Sequence, residues 1–400
     1  MYDAIVIGSR CAGAPTAMLL ARRGRRVLLV DRATFPSDVL SGHAIQAAGL
    51  AHLARWGLLD RVRATGVPFP STVRFDFGPV VLEGEPVPVD GIDNTVCIRR
   101  TVLDTLLTAA AAEAGAEVRQ GFTVKELLWD GDRVVGIRGR DAAGATVEER
   151  AGIVIGADGV NSFVARAVAA PTYREHAATT VNVYSYWRGV DVDRVELYAR
   201  PGRFFVATPT NDDLVYINQT VPRHEADRYR GRTAEAVAET LAEVPHLAQR
   251  VLGGQRVERF RWAPGDDGFF RVPGGPGWAL VGDAGYHKDP ITAQGMADAF
   301  RDAELLAGAA DRGLAGDLAG ELRRYQQARD EAAGALYDFT CQLADVEAPP
   351  SDDVVALVTA LEHQPGQIAR FLGLMAGSVP VADFFNPGSI GRILFAAKAA

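Results

Sequence analysis

The chain opens Tyr2-Asp3-Ala4-Ile5-Val6-Ile7-Gly8-Ser9-Arg10-Cys11-Ala12-Gly13, and Val27-Leu28-Leu29-Val30-Asp31-Arg32 follows. The apolar run Ala4 to Ile7 reads as a buried parallel strand that ends at Gly8. An alanine-rich helix is predicted from about Ala14 to Arg23, stopped by Gly24. Val27 to Val30 is the next strand, and Asp31 closes it. This is a β-α-β unit of about thirty residues. Glycines at such a turn let backbone N–H groups reach a pyrophosphate at the helix N-terminus. An acid at the end of the second strand suits the ribose hydroxyls of an adenosine. The usual pattern is Gly-x-Gly-x-x-Gly, and its middle glycine is Arg10 here. Arg10 either offers its guanidinium to the phosphates or blocks them. A glycine turn in an unrelated α/β unit is the plainer alternative.

Outward from this unit, an irregular stretch from Arg32 to Ala44 leads to a helix ending near Trp56-Gly57. Thr101 is expected to cap a helix, with Asp104 three residues on and Gly115 as the stop. Val124 to Trp129 and Val134 to Arg138 read as strands around an Asp130-Gly131-Asp132 turn. Ile153-Val154-Ile155 is another buried strand and runs into Gly156-Ala157-Asp158-Gly159. From Thr179 to about Trp262, β-branched and aromatic residues dominate, which predicts a mostly antiparallel sheet. A helix near Thr233 to Leu247 interrupts it. Ala279-Leu280-Val281 returns to buried-strand character and ends at Gly282-Asp283. Everything after about Ala297 looks helical.

Composition narrows the class. A chain of 400 residues with 48% hydrophobic and 23% charged residues suggests two domains around a large core. Its net charge of −8 shows neither the basic excess nor the basic stripe of a nucleic-acid binder. The arginines Arg22, Arg23, Arg25 and Arg26 flank a helix end, where cations suit the dipole. Three cysteines, Cys11, Cys97 and Cys341, without a Cys-x-x-Cys, argue against a disulfide scaffold and a zinc site. No metal is expected. The first strand begins at once, so no signal or transit peptide is expected, and no apolar run approaches a membrane span. A cytoplasmic protein fits, and a homodimer is allowed.

Two further blocks add to the first. Gly156-Ala157-Asp158-Gly159-Val160-Asn161-Ser162 follows a buried strand. Gly282-Asp283-Ala284 is followed by Pro290, Gln294-Gly295 and a helix carrying Asp298 and Asp302. In this order and spacing the three blocks resemble the class A flavoprotein monooxygenases, the para-hydroxybenzoate hydroxylase family. The likeness is loose over the whole chain and close at the blocks. It implies an α/β fold: a Rossmann-type FAD-binding domain, an inserted, mostly antiparallel β-sheet substrate domain and a helical C-terminal region. The expected divisions are 1–70, 98–170 and 277–345 for the FAD-binding domain. Residues 71–97 and 171–276 would form the substrate domain, and 346–400 the C-terminal helices.

The resemblance also implies site residues. Gly8, Arg10, Cys11, Ala12, Gly13, Asp31 and Arg32 would hold the ADP half of FAD. Arg100 stands where the family places a flavin-binding side chain, and Val124 would border the adenine through its backbone. Asp158 and Gly159 would serve both FAD and a transient NAD(P)H. Gly282 and Asp283 would meet the ribityl chain, and Pro290, Gly295 and Met296 the isoalloxazine. A helix beginning near Gly295 would aim its positive end at the flavin pyrimidine edge, where reduced flavin carries negative charge. The implied reaction is hydroxylation of a small aromatic or polyketide-like molecule. NAD(P)H reduces the flavin, O2 adds at C4a, and one oxygen atom is transferred. The sequence departs from the family at Tyr286, with His287 beside it, at Ala293 and at Asn161, which bears on fine substrate geometry.

His43 and His287 are the catalytic candidates, because a histidine pKa lies in the useful range. His43 is otherwise a helix-start histidine satisfied by backbone, and His287 a partner to Asp289. In the sheet region Asn182, Tyr184, Tyr186 and Arg188 alternate on one face, and Tyr216 and Asn218 do so on a neighbouring strand. Such a face suits a flat apolar substrate, and equally suits ordinary core or a dimer surface. Three rivals remain. A geranylgeranyl-reductase-like enzyme shares a Phe-Pro loop after the second strand, here Phe35-Pro36 through Ser41-Gly42-His43, and would reduce an alkene. A flavin-dependent halogenase needs a capturing lysine and a Trp-x-Trp-x-Ile-Pro signature. Lysine occurs only at Lys125, Lys288 and Lys398, and Trp187 stands alone. A Rab GDP-dissociation-inhibitor-like protein would hold no flavin. Arg10 favours that reading, and the Asp-Gly and Gly-Asp blocks oppose it.

Overall fold

Five parallel strands run side by side in the order Glu117–Gln120, Val27–Asp31, Tyr2–Ile7, Thr146–Gly156 and Trp278–Leu280. The computed structural model that shows this describes residues 1–41 and 43–399, without the side chains of 398 and 399. Gly42 of the Phe-Pro loop therefore lies outside the described residues. The central strands carry Val, Ile and Leu on both faces because helices cover one face and further strands the other. Ala4, Ile5, Val6, Val154 and Ile155 are fully buried. The first strand sits between the second and Thr146–Gly156, so the strand order reverses at its carboxyl end. That reversal opens the crevice in which such sheets bind ligands.

The helix Gly13–Ala21 crosses between the first two strands and ends at Gly24, whose φ of +80° turns the chain back. The long helix Gly295–Leu314 packs against it and against Leu318–Ala344. Below the sheet, the hairpin Thr123–Asp130 and Arg133–Arg140 pairs with the extended start of Thr146–Gly156.

A second sheet of ten strands stands over this unit. Its centre is antiparallel: Thr180–Arg188, Leu214–Pro222, Arg203–Thr210 and Val195–Arg200 lie in that order. Alternation divides its faces. Val181, Val183, Trp187, Val215 and Ile217 pack under the helices Thr233–Leu241 and Pro245–Gly253. Tyr184, Tyr186 and Tyr216 point the other way into a cluster with Cys97 and Leu214. The outer strands Val73–Asp76 and Val81–Gly84 are covered by the C-terminal helices, with Leu361, Phe371, Leu372 and Phe384 in that core.

Two expectations are corrected. The helix foreseen over Thr233 to Leu247 is two helices, because Pro245 has no N–H to continue the first and starts the second instead. Thr101 does not cap its helix: the helix is Arg100–Glu113, Arg99 holds the extended N-cap conformation, and no side chain caps it. Asp104 is thereby freed for another role.

The Ile155 side chain is wholly buried on the central strand, between Val6 and Ala279. Ile155→Ala should cost roughly 2–5 kcal/mol through lost transfer energy and a residual cavity. A urea-unfolding midpoint unchanged from the native protein would contradict this placement.

Candidate functional site

At the carboxyl end of the first strand, the chain turns too tightly for side chains. Gly8 has a φ of +101°, and a Cβ there would lie 2.3 Å from the Ala157 carbonyl oxygen. A Cβ on Gly13 would lie 1.7 Å from the Gly8 carbonyl oxygen. Both positions demand glycine. The buried Asp31 carboxylate accepts from the backbone N–H of Ser9 at 2.7 Å and of Ala33 at 2.7 Å, which fixes the turn. Ala12 heads the helix Gly13–Ala21 without a side-chain cap, and no acid stands in the first turn. The helix thus presents free N–H groups and a positive end, the arrangement that holds a pyrophosphate. Arg32 is exposed just beyond, and Val124 half-buried on the hairpin.

Arg10 leans onto the helix Arg100–Glu113. Its Nη1 donates to Asp104 Oδ2 at 2.6 Å, and the guanidinium also reaches the Ser37 carbonyl at 3.3 Å and its hydroxyl at 3.2 Å. Asp104 is fully buried and takes a second arginine, Arg100, at 3.0 Å. Burial pushes the neighbouring Cys11 thiol up to about 12, so it stays neutral. Two cations against one carboxylate leave one positive charge in excess beside the phosphate loop. The sequence showed Asp104 only as a helix-start acid, because the partner that defines it lies 94 residues away.

Gly282, with a φ of +61°, closes against Ala12: a Cβ there would come within 2.6 Å of the Ala12 Cβ. Asp283 follows with about half its side chain exposed and its carboxylate 3.4 Å from His287 Nδ1. Burial opposes charge on His287, but Asp283, Asp266 and Asp289 outweigh it and hold its pKa above the ordinary value. His287 therefore faces Asp283 more directly than Asp289, which instead accepts from the Thr180 hydroxyl at 2.6 Å and so ties the Gly-Asp loop to the upper sheet. Pro290 and Gly295 are exposed, Met296 is buried, and a Cβ on Gly295 would meet open space. Gln294 leaves the helix N-terminus uncapped, its Nε2 donating to the Met375 carbonyl at 2.6 Å. Ala293, where the resembled family has glycine, adopts a φ of +52°. That left-handed conformation costs an alanine roughly 1–2 kcal/mol, which explains the glycine elsewhere.

Asp158 has a structural partner set. It accepts from the Ser162 hydroxyl at 2.5 Å and from the Phe163 N–H at 2.7 Å, so it anchors the short helix Phe163–Ala167. Gly159 beside it has a φ of +80° and open space around its Cα.

The loop after the second strand runs from this phosphate end to the tyrosine face. Asp38 pairs with Arg261 at 2.6 Å, and the Ser41 N–H donates to Tyr184 Oη at 3.3 Å. His43 is not at a helix start. It is 1% exposed, has a φ of +58°, and bonds Tyr186 Oη through Nε2. Its ring lies 5.7 Å from that of Tyr216 and 5.8 Å from that of Tyr184. A non-glycine residue in this region is uncommon and is kept only where surroundings over-determine it. Burial, then Arg100, Arg99 and Arg261, holds the imidazole well below its ordinary pKa and therefore neutral. Arg99 lies over the Tyr186 ring at 4.4 Å and pairs with Glu258. Arg99, Glu258, Arg261 and Asp38 were not foreseen, because none belongs to a motif. Asn218 pairs across to Tyr184 and is buried.

The residues on hand fit FAD: a glycine cradle, a buried acid at the ribose end, two uncapped helix N-termini and open space at Gly295. The comparisons agree. A family profile described as the FAD binding domain matches residues 1–340, and the chain belongs to that family of FAD-binding oxidoreductases. Digeranylgeranylglycerophospholipid reductase 2 of Methanopyrus kandleri is 26% identical over 379 residues, 91% of each chain. The myxobacterial chondrochloren halogenase superposes with a TM-score of 0.80 at 23% identity, over 99% of this chain and 96% of that one. A probable FAD-dependent monooxygenase of Pseudomonas aeruginosa superposes with a TM-score of 0.71 at 23% identity, over 93% and 99%. Among the described residues no helix is long and apolar enough to cross a membrane, and no cluster of metal-ligating side chains occurs.

Two outcomes check this site. Asp283→Ala should lower FAD occupancy, since a charge-assisted hydrogen bond is worth about 1.5–3 kcal/mol; full retention of flavin absorbance would remove Asp283 from the site. Arg10→Gly should weaken FAD binding about tenfold or more and flatten its salt dependence, because it removes the excess charge. Tighter binding in a fluorescence titration would mark Arg10 as an obstruction.

Proposed function

We propose that the protein is an FAD-dependent monooxygenase that uses NAD(P)H and O2 to hydroxylate a small, flat organic substrate, aromatic or polyketide-like. The observation that carries this is the buried face of Tyr184, Tyr186 and Tyr216 with the neutral His43 set among them. FAD, when bound, supplies electron transfer from NAD(P)H and the activation of oxygen. The chain supplies the rest. The glycine turn and Asp31 hold the dinucleotide end, Arg10 and Arg100 balance phosphate charge, and the N-terminus of Gly295–Leu314 meets negative charge on the ring system. The tyrosine face binds a planar ring and excludes water. His43, uncharged, orients the substrate through its Nδ1–H. His287, whose pKa Asp283 helps hold above the ordinary value, favours a proton near the ribityl side. The enzyme works in the cytoplasm, as a monomer or homodimer.

One observation bears on the halogenase reading. Lys288 is buried and engaged by Asp298 and Tyr286 Oη, and Lys125 is exposed on a hairpin that is not part of the sheet bearing the tyrosines. Neither is placed to carry a reactive halogen to a substrate. The alkene-reductase reading is the second one, supported by the archaeal reductase that matches 91% of the chain. Reduced protein mixed with isotopically labelled oxygen, across phenols, polyketide-like aromatics and prenyl alkenes, separates the two. We expect one labelled oxygen atom in the product. Anaerobic saturation of an alkene, with no labelled product from any substrate, would establish the reductase instead.

A further inference from the structure

The tyrosine face carries buried polar atoms without a partner among the described residues: His43 Nδ1, Thr208 Oγ1, Asn218 Oδ1 and Arg261 Nε. Three of them share one face of the sheet with the tyrosines, and His43 bonds Tyr186 on that face. Thr208 pairs with Tyr216, Tyr216 with Tyr186, Asn218 with Tyr184, and Tyr184 with Arg261. Thr208 and Asn218 alternate with Ala207 and Ile217, which belong to the opposite, helix-covered core. Unpaired polar atoms buried this way cost stability unless something pairs them.

The hydrogen-bond network assigns each atom a role. Thr220 Oγ1 donates to Asn182 Oδ1 at 2.7 Å, and Asn218 Nδ2 donates to Asn182 Oδ1 at 3.0 Å and Thr220 Oγ1 at 3.2 Å. Turned over, the Asn218 carbonyl would face that of Asn182, so Asn218 Oδ1 is left as an acceptor. Burial keeps Tyr186 protonated. No other acceptor for its hydroxyl occurs among the described residues, so that proton is assigned to His43 Nε2, which leaves Nδ1 with the ring proton as a donor. Arg261 Nε is a second donor, and Thr208 serves either way. On the sheet side the charges are matched, since Arg99 holds Glu258 and Arg261 holds Asp38 and Glu258; Arg100 shares Asp104 with Arg10, and the charge left over there lies beside the glycine turn.

We infer that the substrate is an uncharged hydroxyaryl ketone or its like: a planar ring with an oxygen acceptor for His43 and Arg261, and an O–H or N–H donor for Asn218 at its other edge. This rests on the reading that the tyrosine face bounds the substrate site. A carboxylate would enter without a free cation to meet it.

The test is calorimetric titration of the oxidised, FAD-loaded protein with 4-hydroxyacetophenone, 4-methoxyacetophenone and 4-hydroxybenzoate. The hydroxy ketone should bind about tenfold more tightly than either of the others, the worth of one hydrogen bond to a buried acceptor. Asn218→Leu should remove its advantage over the methoxy ketone. Where that variant fails to retain FAD, Thr208→Val replaces it and should weaken the hydroxy ketone about threefold or more. Equal affinities, tighter binding of the carboxylate, no binding of any probe, or an advantage that survives the substitution would overturn the inference. Neither oxygen nor reductant is present. A protein that binds this way but yields no labelled product would sink the hydroxylase reading and leave the substrate class standing.

Discussion

A single buried carboxylate, Asp104, organises the end of this protein that carries the glycine turn. It has no access to solvent and is held by Arg10 and Arg100 together. A lone carboxylate in that place would cost several kcal/mol or take up a proton. Two arginines meet it here, so the cluster carries more cationic than anionic groups. The same contact joins three segments that are distant in sequence: the glycine turn, the helix Arg100–Glu113 and, through Ser37, the loop that leads to His43.

That loop is a strap between two chemistries. Arg10 grips it at Ser37 on the phosphate side, and Arg261, Tyr184 and Tyr186 grip it at Asp38, Ser41 and His43 on the sheet side. The strained φ at His43 is what this double attachment sustains. A neutral histidine in an aromatic nest is thus positioned by ion pairs that never touch it. The upper sheet is in turn tied to the Gly-Asp loop by Thr180 and Asp289.

A second ionic layer supports the loop from beneath. Lys288, which precedes the helix Gly295–Leu314, joins Asp298, Arg301 and Asp302 on that helix's first turns in a chain of alternating charges. Arg329, with no exposed side-chain surface, donates to the carbonyls of Gly285 and Arg271 at 3.0 and 2.9 Å. These groups satisfy backbone oxygens that the irregular loop would otherwise leave unpaired inside the protein. The loop can then leave Asp283, Pro290 and Gly295 facing outward while the residues between them are held.

The sequence by itself determined the parallel sheet, its glycine turn and the acid that closes the second strand. Those features are local: a short apolar run, a glycine where no Cβ fits, and a side chain within a few residues of its partner. It also showed that Tyr184 and Tyr186 share a face of one strand and Tyr216 and Asn218 a face of another, because strand alternation is a two-residue rule; the register that joins the two faces came from the structure. It misjudged Thr101 and the helix across Pro245, where tertiary contacts and a missing N–H overrode the pattern. Only the tertiary structure decided the role of Arg10, which needed Asp104 from another helix, and the setting of His43, which needed Tyr186 from another sheet. Ion pairs and orphaned polar atoms depend on which distant residues meet, and spacing along a chain carries no record of that.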